Sequence, residues 1–159
     1  MEIQTKEFGP DHVNIATTYN NLGSAYEEMG EYEKAKDFYE RAIEIKTKTF
    51  GPDHVNIATT YNNLGSVYIK MGEYEKAKDF YERAIEIQTK AFGPDYVKIA
   101  ITYSNLGSVY IKMGEYEKAK NFYERAIEIK TKTFGPDHVK TANTYNNLGL
   151  VCLVYTKDD

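Results

Sequence analysis

The chain has 159 residues, 42% apolar and 28% charged, which suits one packed domain or a short repeat array and excludes a multidomain enzyme. Its 20 Lys+Arg against 24 Asp+Glu leave a net charge of −4, the opposite of the basic excess that holds a phosphate backbone, so no nucleic acid is expected as a partner. The longest uninterrupted apolar stretch, Leu150 to Tyr155, is far short of the roughly 20 residues of a membrane-crossing helix, and polar residues follow Met1; a soluble, unsecreted, cytoplasmic chain is expected.

In chain order, residues 1–8 read as the tail of a preceding second helix, because Glu2 to Phe8 matches Glu86 to Phe92. Residues 9–50, 51–92 and 93–134 are near-copies of one 42-residue unit, and residues 135–159 hold the first helix of an incomplete fourth. The second copy departs from the first only by Ala25 to Val67, Glu27 to Ile69, Glu28 to Lys70, Lys46 to Gln88 and Thr49 to Ala91, so the copies share one backbone.

Within the first copy, Ala16, Tyr19, Leu22, Gly23 and Tyr26 recur at three- and four-residue steps, and Tyr32, Ala35, Tyr39, Ala42 and Ile43 do so again. The spacing predicts two amphipathic helices, from about His12 to Met29 and from about Tyr32 to Lys48, with Gly30 as the hinge. In the loop between units, Gly51 is expected to break the second helix, Pro52 to start the next and Asp53 to accept from its free amides. Gly23 and Ala35 are expected where the two helices approach closely. Pairs of this kind cannot bury their apolar faces alone, so they stack into a solenoid.

At these residues the chain resembles the tetratricopeptide repeat family. Leu22, Gly23, Tyr26, Gly30, Tyr32, Ala35, Tyr39 and Ala42 fall at the spacings of its signature, and the set returns at Leu64 to Ala84 and Leu106 to Ala126. The 42-residue unit with its GPDH-type loop is similar to the subclass of kinesin light chains and nephrocystin-like proteins. Tyr19, Tyr61 and Tyr103 depart from the Trp often found there, and Val13 from a Pro. The resemblance implies an all-α, right-handed superhelical solenoid of antiparallel helix pairs. It also implies a non-enzymatic scaffold or adaptor whose concave groove, lined by the first helices, binds a peptide of a partner protein.

On that face stand Asn20, Asn21 and Ser24, then Asn62, Asn63, Ser66, Ile69 and Lys70, then Ser104, Asn105, Ser108, Ile111 and Lys112. An asparagine amide offers both donor and acceptor, so a ladder of them suits the backbone of an extended peptide. Glu27 and Glu28 give way to Ile69 and Lys70, and Thr59 to Ile101, so the face is expected to run from acidic to apolar and basic. That change favours a ligand with an apolar anchor beside acidic residues. Chaperone-binding relatives grip a terminal carboxylate with Lys and Arg where Asn20, Ser24 and Ile101 stand here, which argues against a clamp of that kind.

Other chemistry is not expected. His12, His54 and His138 come one per unit, a helix layer of about 10 Å apart, too far to share a metal, and are read as helix-start residues. No glycine-rich phosphate loop is present, and no cofactor is expected. Cys152 stands where earlier copies have Tyr26, Tyr68 and Tyr110 and reads as a core residue. The fifteen tyrosines follow the apolar stripes and read as core, and the carboxylates of the second helix read as an ion-paired surface. The alternative function is self-assembly through an open terminal helix, with Tyr145, Leu148, Val151 and Leu153 as the contact.

Overall fold

The computed structural model describes residues 13–155. The stub at residues 1–8, Phe8, His12 and the last four residues lie outside them. The described residues form α1 (Val13–Glu28), α2 (Tyr32–Phe50), α3 (Val55–Lys70), α4 (Tyr74–Phe92), α5 (Val97–Lys112), α6 (Tyr116–Phe134) and α7 (Val139–Tyr155), with no strand among them. This is an all-α repeat fold. The chain divides into two compact units, Met1–Ile87 and Gln88–Asp159, with the division inside α4.

The turn inside each helix pair follows from one glycine. Gly30 has φ +78°, open only to a residue without Cβ strain, and lets the Glu31 amide donate to Tyr26 O at 2.9 Å and its own amide to Glu27 O at 3.1 Å. These bonds satisfy two carbonyls at the end of α1 and turn the chain into α2.

The pairs then lock by aromatic packing. Phe38 stacks on Tyr26 with centroids 5.3 Å apart and tilts against Tyr19 at 5.8 Å; Phe80 and Phe122 repeat this with Tyr68, Tyr61, Tyr110 and Tyr103. Tyr39, Tyr81 and Tyr123 are buried against Gly23, Gly65 and Gly107. Gly23 thus stands where the two helices approach, with the Tyr39 ring in the space of its missing side chain, and Ala35 is fully buried. In unit 1, Ala16 packs with Ile15 and Ile45, and Ala58 with Ala84 and Ile87; in unit 2, Ala100 packs with Ala126 and Ile129.

The loop differs from its sequence reading. Helix α3 starts at Val55, not at Pro52, and its cap is His54, whose Nδ1 accepts from the Asn56 amide at 3.2 Å while its ring stacks on Phe50 at 4.5 Å. His138 does the same for Lys140 at 3.1 Å. Asp53, the residue before the cap, pairs with Arg83, and Asp95 with Arg125 and Lys132, so these loop carboxylates reach the next second helix. On α2, Lys34 pairs with Glu31, Lys36 with Glu33 and Lys48 with Glu44, the ion-paired surface read from the spacing.

Candidate functional site

In unit 1 the side chains of α1 and α3 are joined to one another more than they are open to a ligand. Glu27 Oε1 accepts from Ser66 Oγ at 2.7 Å and Lys70 Nζ at 3.0 Å, and its Oε2 accepts from Tyr39 Oη at 3.0 Å. Glu27 and Lys70, read as the acidic and basic ends of a charge change along the face, therefore neutralise each other. Neither offers a free charge, because neighbouring repeats bring the two positions within ion-pair distance. Burial, reinforced by Glu27, pushes the phenols of Tyr39 and Tyr81 well above the usual tyrosine range.

The asparagines also divide. Asn20 Oδ1 accepts from Thr60 Oγ1 at 3.1 Å, and Thr60 Oγ1 accepts from Lys46 Nζ at 2.7 Å, so one of the two acceptor positions of the Asn20 amide is used within the fold. Asn62 Oδ1 is buried with no hydrogen-bond partner among the described residues. Asn21 is exposed, and Ser24, Asn63 and Ile69 are half-buried. In unit 2, Ser104 Oγ donates to Ala100 O at 2.9 Å, and Ser108 Oγ lies 2.8 Å from Tyr123 Oη. Asn105 and Ile111 are half-buried there, and Lys112 is exposed.

A concavity of unit 2 lies one turn before Ser104. A cavity of about 450 Å³ is lined by Val97, Lys98 and Ile101 of α5, Lys130 and Phe134 of α6, and Lys140 and Asn143 of α7. Three ammonium groups border an apolar floor, and no carboxylate lines it. Lys130 Nζ donates to Thr144 Oγ1 at 2.6 Å, the counterpart of the Lys46–Thr60 bond, and Lys140 Nζ lies 4.9 Å from the centroid of the Phe134 ring. Burial, then the charge of Lys140, lowers the pKa of the Lys130 ammonium below the usual lysine value. An anion entering the cavity would relieve the second of these.

Lys98, Lys130, Phe134 and Lys140 were not singled out from the sequence. The signal was there: the position that is Asn14 and Asn56 in the first two copies becomes Lys98 and Lys140. What the sequence lacked was the proximity of α6's last turn, which adds Lys130 and Phe134.

On α7, Tyr145 and Leu153 are exposed and Leu148 is half-buried, as an open contact requires, but Val151 is 2% exposed. Val151 belongs to the stripe with which α7 packs on α6, so it is withdrawn from the contact. Cys152 is exposed, against its reading as core, since no described helix covers that side of α7. Among the described residues no group of three metal-binding side chains exists, and no helix is long and apolar enough to cross a membrane.

The profile of the tetratricopeptide repeat family matches residues 1–48, 38–90, 56–132 and 98–158. No curated protein matches. Among solved structures the chain is similar to BtubC (BKLC) from P. vanneervenii at 28% identity and TM-score 0.79, covering 86% of this chain and 54% of BtubC, so it spans about half of that protein. It is similar in fold to the nearly identical TPR-like repeats of a putative kinesin light chain from Podosopora anserina, at 20% identity and TM-score 0.83, covering 98% of this chain and 74% of that one. The first TPR of Spaghetti (RPAP3), bound to the HSP90 peptide SRMEEVD, has 20% identity and TM-score 0.69, covering 91% and 96%.

Proposed function

This chain belongs to the tetratricopeptide repeat family, and on that premise we propose that it is a non-catalytic adaptor that binds a peptide segment of a partner protein, anchored in the cavity of α5, α6 and α7. The observation that carries the reading is the combination of an apolar floor (Val97, Ile101, Phe134) with three lysines and no carboxylate, in a chain whose net charge is negative. The side chain that suits it is aliphatic or aromatic, with carboxylates beside it in sequence.

The corresponding positions of unit 1 carry Asn14, Asn56 and Thr17 where unit 2 has Lys98, Lys140 and Ile101, so the anchor belongs to unit 2. In this reading Asn105, half-buried one turn further along α5, pairs with the peptide backbone. The loss of a free charge at Lys70 shifts the basic character from the middle repeat to this cavity.

The test is fluorescence anisotropy with a labelled peptide that has one phenylalanine between glutamates, set against the same peptide with lysines in place of glutamates. The acidic peptide is expected to bind, to weaken as salt is raised, and to weaken about tenfold when Lys98→Ala and Lys140→Ala are combined. Both lysines are exposed, so their loss leaves the fold intact. Equal binding of the basic peptide, or unchanged affinity in the double variant, refutes the reading.

A further inference from the structure

Lys46, Gln88 and Lys130 hold one position in the three copies, and the two lysines are bound alike: Lys46 Nζ donates to Thr60 Oγ1 at 2.7 Å and Lys130 Nζ to Thr144 Oγ1 at 2.6 Å. Their surroundings differ. Burial alone lowers the pKa of the Lys46 ammonium, whereas for Lys130 the charge of Lys140 adds to burial. Asn14 and Asn56 stand in unit 1 where Lys98 and Lys140 stand in unit 2, and Thr17 where Ile101 stands. The same half-buried amine is thus set in unit 2 beside a second cation, over an apolar floor, in a cavity that no carboxylate lines.

An ammonium carries three N–H donors, and Lys130 directs one to Thr144 and a longer one, at 3.4 Å, to Ser104. Both partners are hydroxyls, and neither carries a charge. Lys98 and Lys140 are exposed, whereas Lys130 is half-buried against α7. In an extended peptide successive side chains point to opposite sides and those two apart stand about 7 Å from each other, so glutamates flanking an anchor reach Lys98 and Lys140 but not Lys130. The charge that meets Lys130 has to be carried by the anchor side chain itself. That side chain has also to cover Val97, Ile101 and Phe134, for which aspartate and glutamate have too little apolar surface. A ring with an anionic group at its far end does both. A phosphoryl group suits the pair of lysines better than a carboxylate, because one group of charge about −2 with three acceptor oxygens answers two ammonium groups that repel each other. The volume of about 450 Å³ lies within the range of about 300–1,000 Å³ of small-ligand sites.

We propose that the anchor is a phosphotyrosine of the partner protein, its ring on Val97, Ile101 and Phe134 and its phosphoryl oxygens held by Lys130 and Lys140, so that phosphorylation of the partner turns binding on. This rests on the reading of the cavity as a peptide anchor and names the side chain that fills it.

The experiment is fluorescence anisotropy of the whole chain with four labelled peptides that differ only at the residue between the glutamates: phenylalanine, tyrosine, phosphotyrosine and phosphoserine. Each is measured with the unaltered chain, with Lys130→Gln and with Lys46→Gln. Gln88 already stands at this position in the second copy, so the exchange suits the fold, and circular dichroism checks that each variant is helical. The phosphotyrosine peptide is expected to bind about tenfold or more tighter than the tyrosine and phosphoserine peptides. Lys130→Gln is expected to cut the preference for phosphotyrosine over tyrosine to about threefold or less, and Lys46→Gln to leave it unchanged. Equal binding of phosphotyrosine and tyrosine, equal binding of phosphoserine, or a preference that Lys130→Gln leaves intact or that Lys46→Gln lowers as much overturns the inference. If the phenylalanine peptide binds and phosphorylation adds nothing, the adaptor reading stands and this inference alone falls; if none of the four binds, both fall.

Discussion

Replacing Gly65 by alanine tests the packing rule on which the repeat rests. In an exposed helix interior, glycine to alanine stabilises by about 0.5–1 kcal/mol, because alanine has less backbone freedom to lose. At Gly65 the added Cβ would stand 2.9 Å from Tyr81 Cε1 and Cζ, whereas ordinary contact begins at 3.4 Å, so the ring must retreat by about half an ångström. Tyr81 is 1% exposed, with no open side to retreat into, and overpacking of this sort costs about 1–3 kcal/mol. The cost exceeds the propensity gain, so Gly65→Ala is expected to destabilise by about 0.5–2 kcal/mol. Gly149→Ala, at the equivalent place on α7, meets nothing and is expected to stabilise by about 0.5–1 kcal/mol. Urea unfolding followed by circular dichroism reads both. If both substitutions stabilise, the tyrosine is not held against the glycine and the argument fails.

Glu27→Ala strands the hydroxyl of Tyr39 and the ammonium of Lys70, and is expected to cost about 1–3 kcal/mol by urea unfolding; a cost no larger than that of an exposed carboxylate would contradict the three-way contact. Tyr96 caps α5 without a side-chain bond, whereas His54 caps α3 through Nδ1, so Tyr96→His is expected to gain about 0.5–1 kcal/mol in thermal or urea unfolding, and a loss would refute the cap. The buried phenols of Tyr39, Tyr81 and Tyr123 hold their protons above the pH, near 10, at which an unfolded chain releases them. The folded state then binds more protons, so this stability is complete below pH 10 and falls as pH rises above it, by about 1.4 kcal/mol per phenol per pH unit. Unfolding curves between pH 9 and 11 check this, and Tyr81→Phe, which keeps the ring on Gly65, is expected to remove about one proton's worth of the slope.

Much of the architecture was legible because it is local. Apolar residues at three- and four-residue steps decide a helix within a few turns of chain, and Gly30 marks its end because only a positive φ makes that turn. The 42-residue period then requires every copy to pair its helices alike. The site was less legible, because a side chain's free valence depends on what another helix brings to it. Glu27 and Lys70 look like opposite charges on a ligand-facing surface, and only the distance between consecutive first helices turns them into an internal pair. Asn20 looks wholly free for a peptide, and only the neighbouring helix shows that Thr60 takes one of its acceptor positions. Val151 and Cys152 sit next to each other in an apolar run, and the angle at which α7 meets α6 is what buries one and exposes the other. Repetition in the sequence determined the helices, their turns and the family; tertiary structure alone decided which polar groups are spent on one another, and brought Lys98, Lys130 and Lys140 to the rim of one cavity.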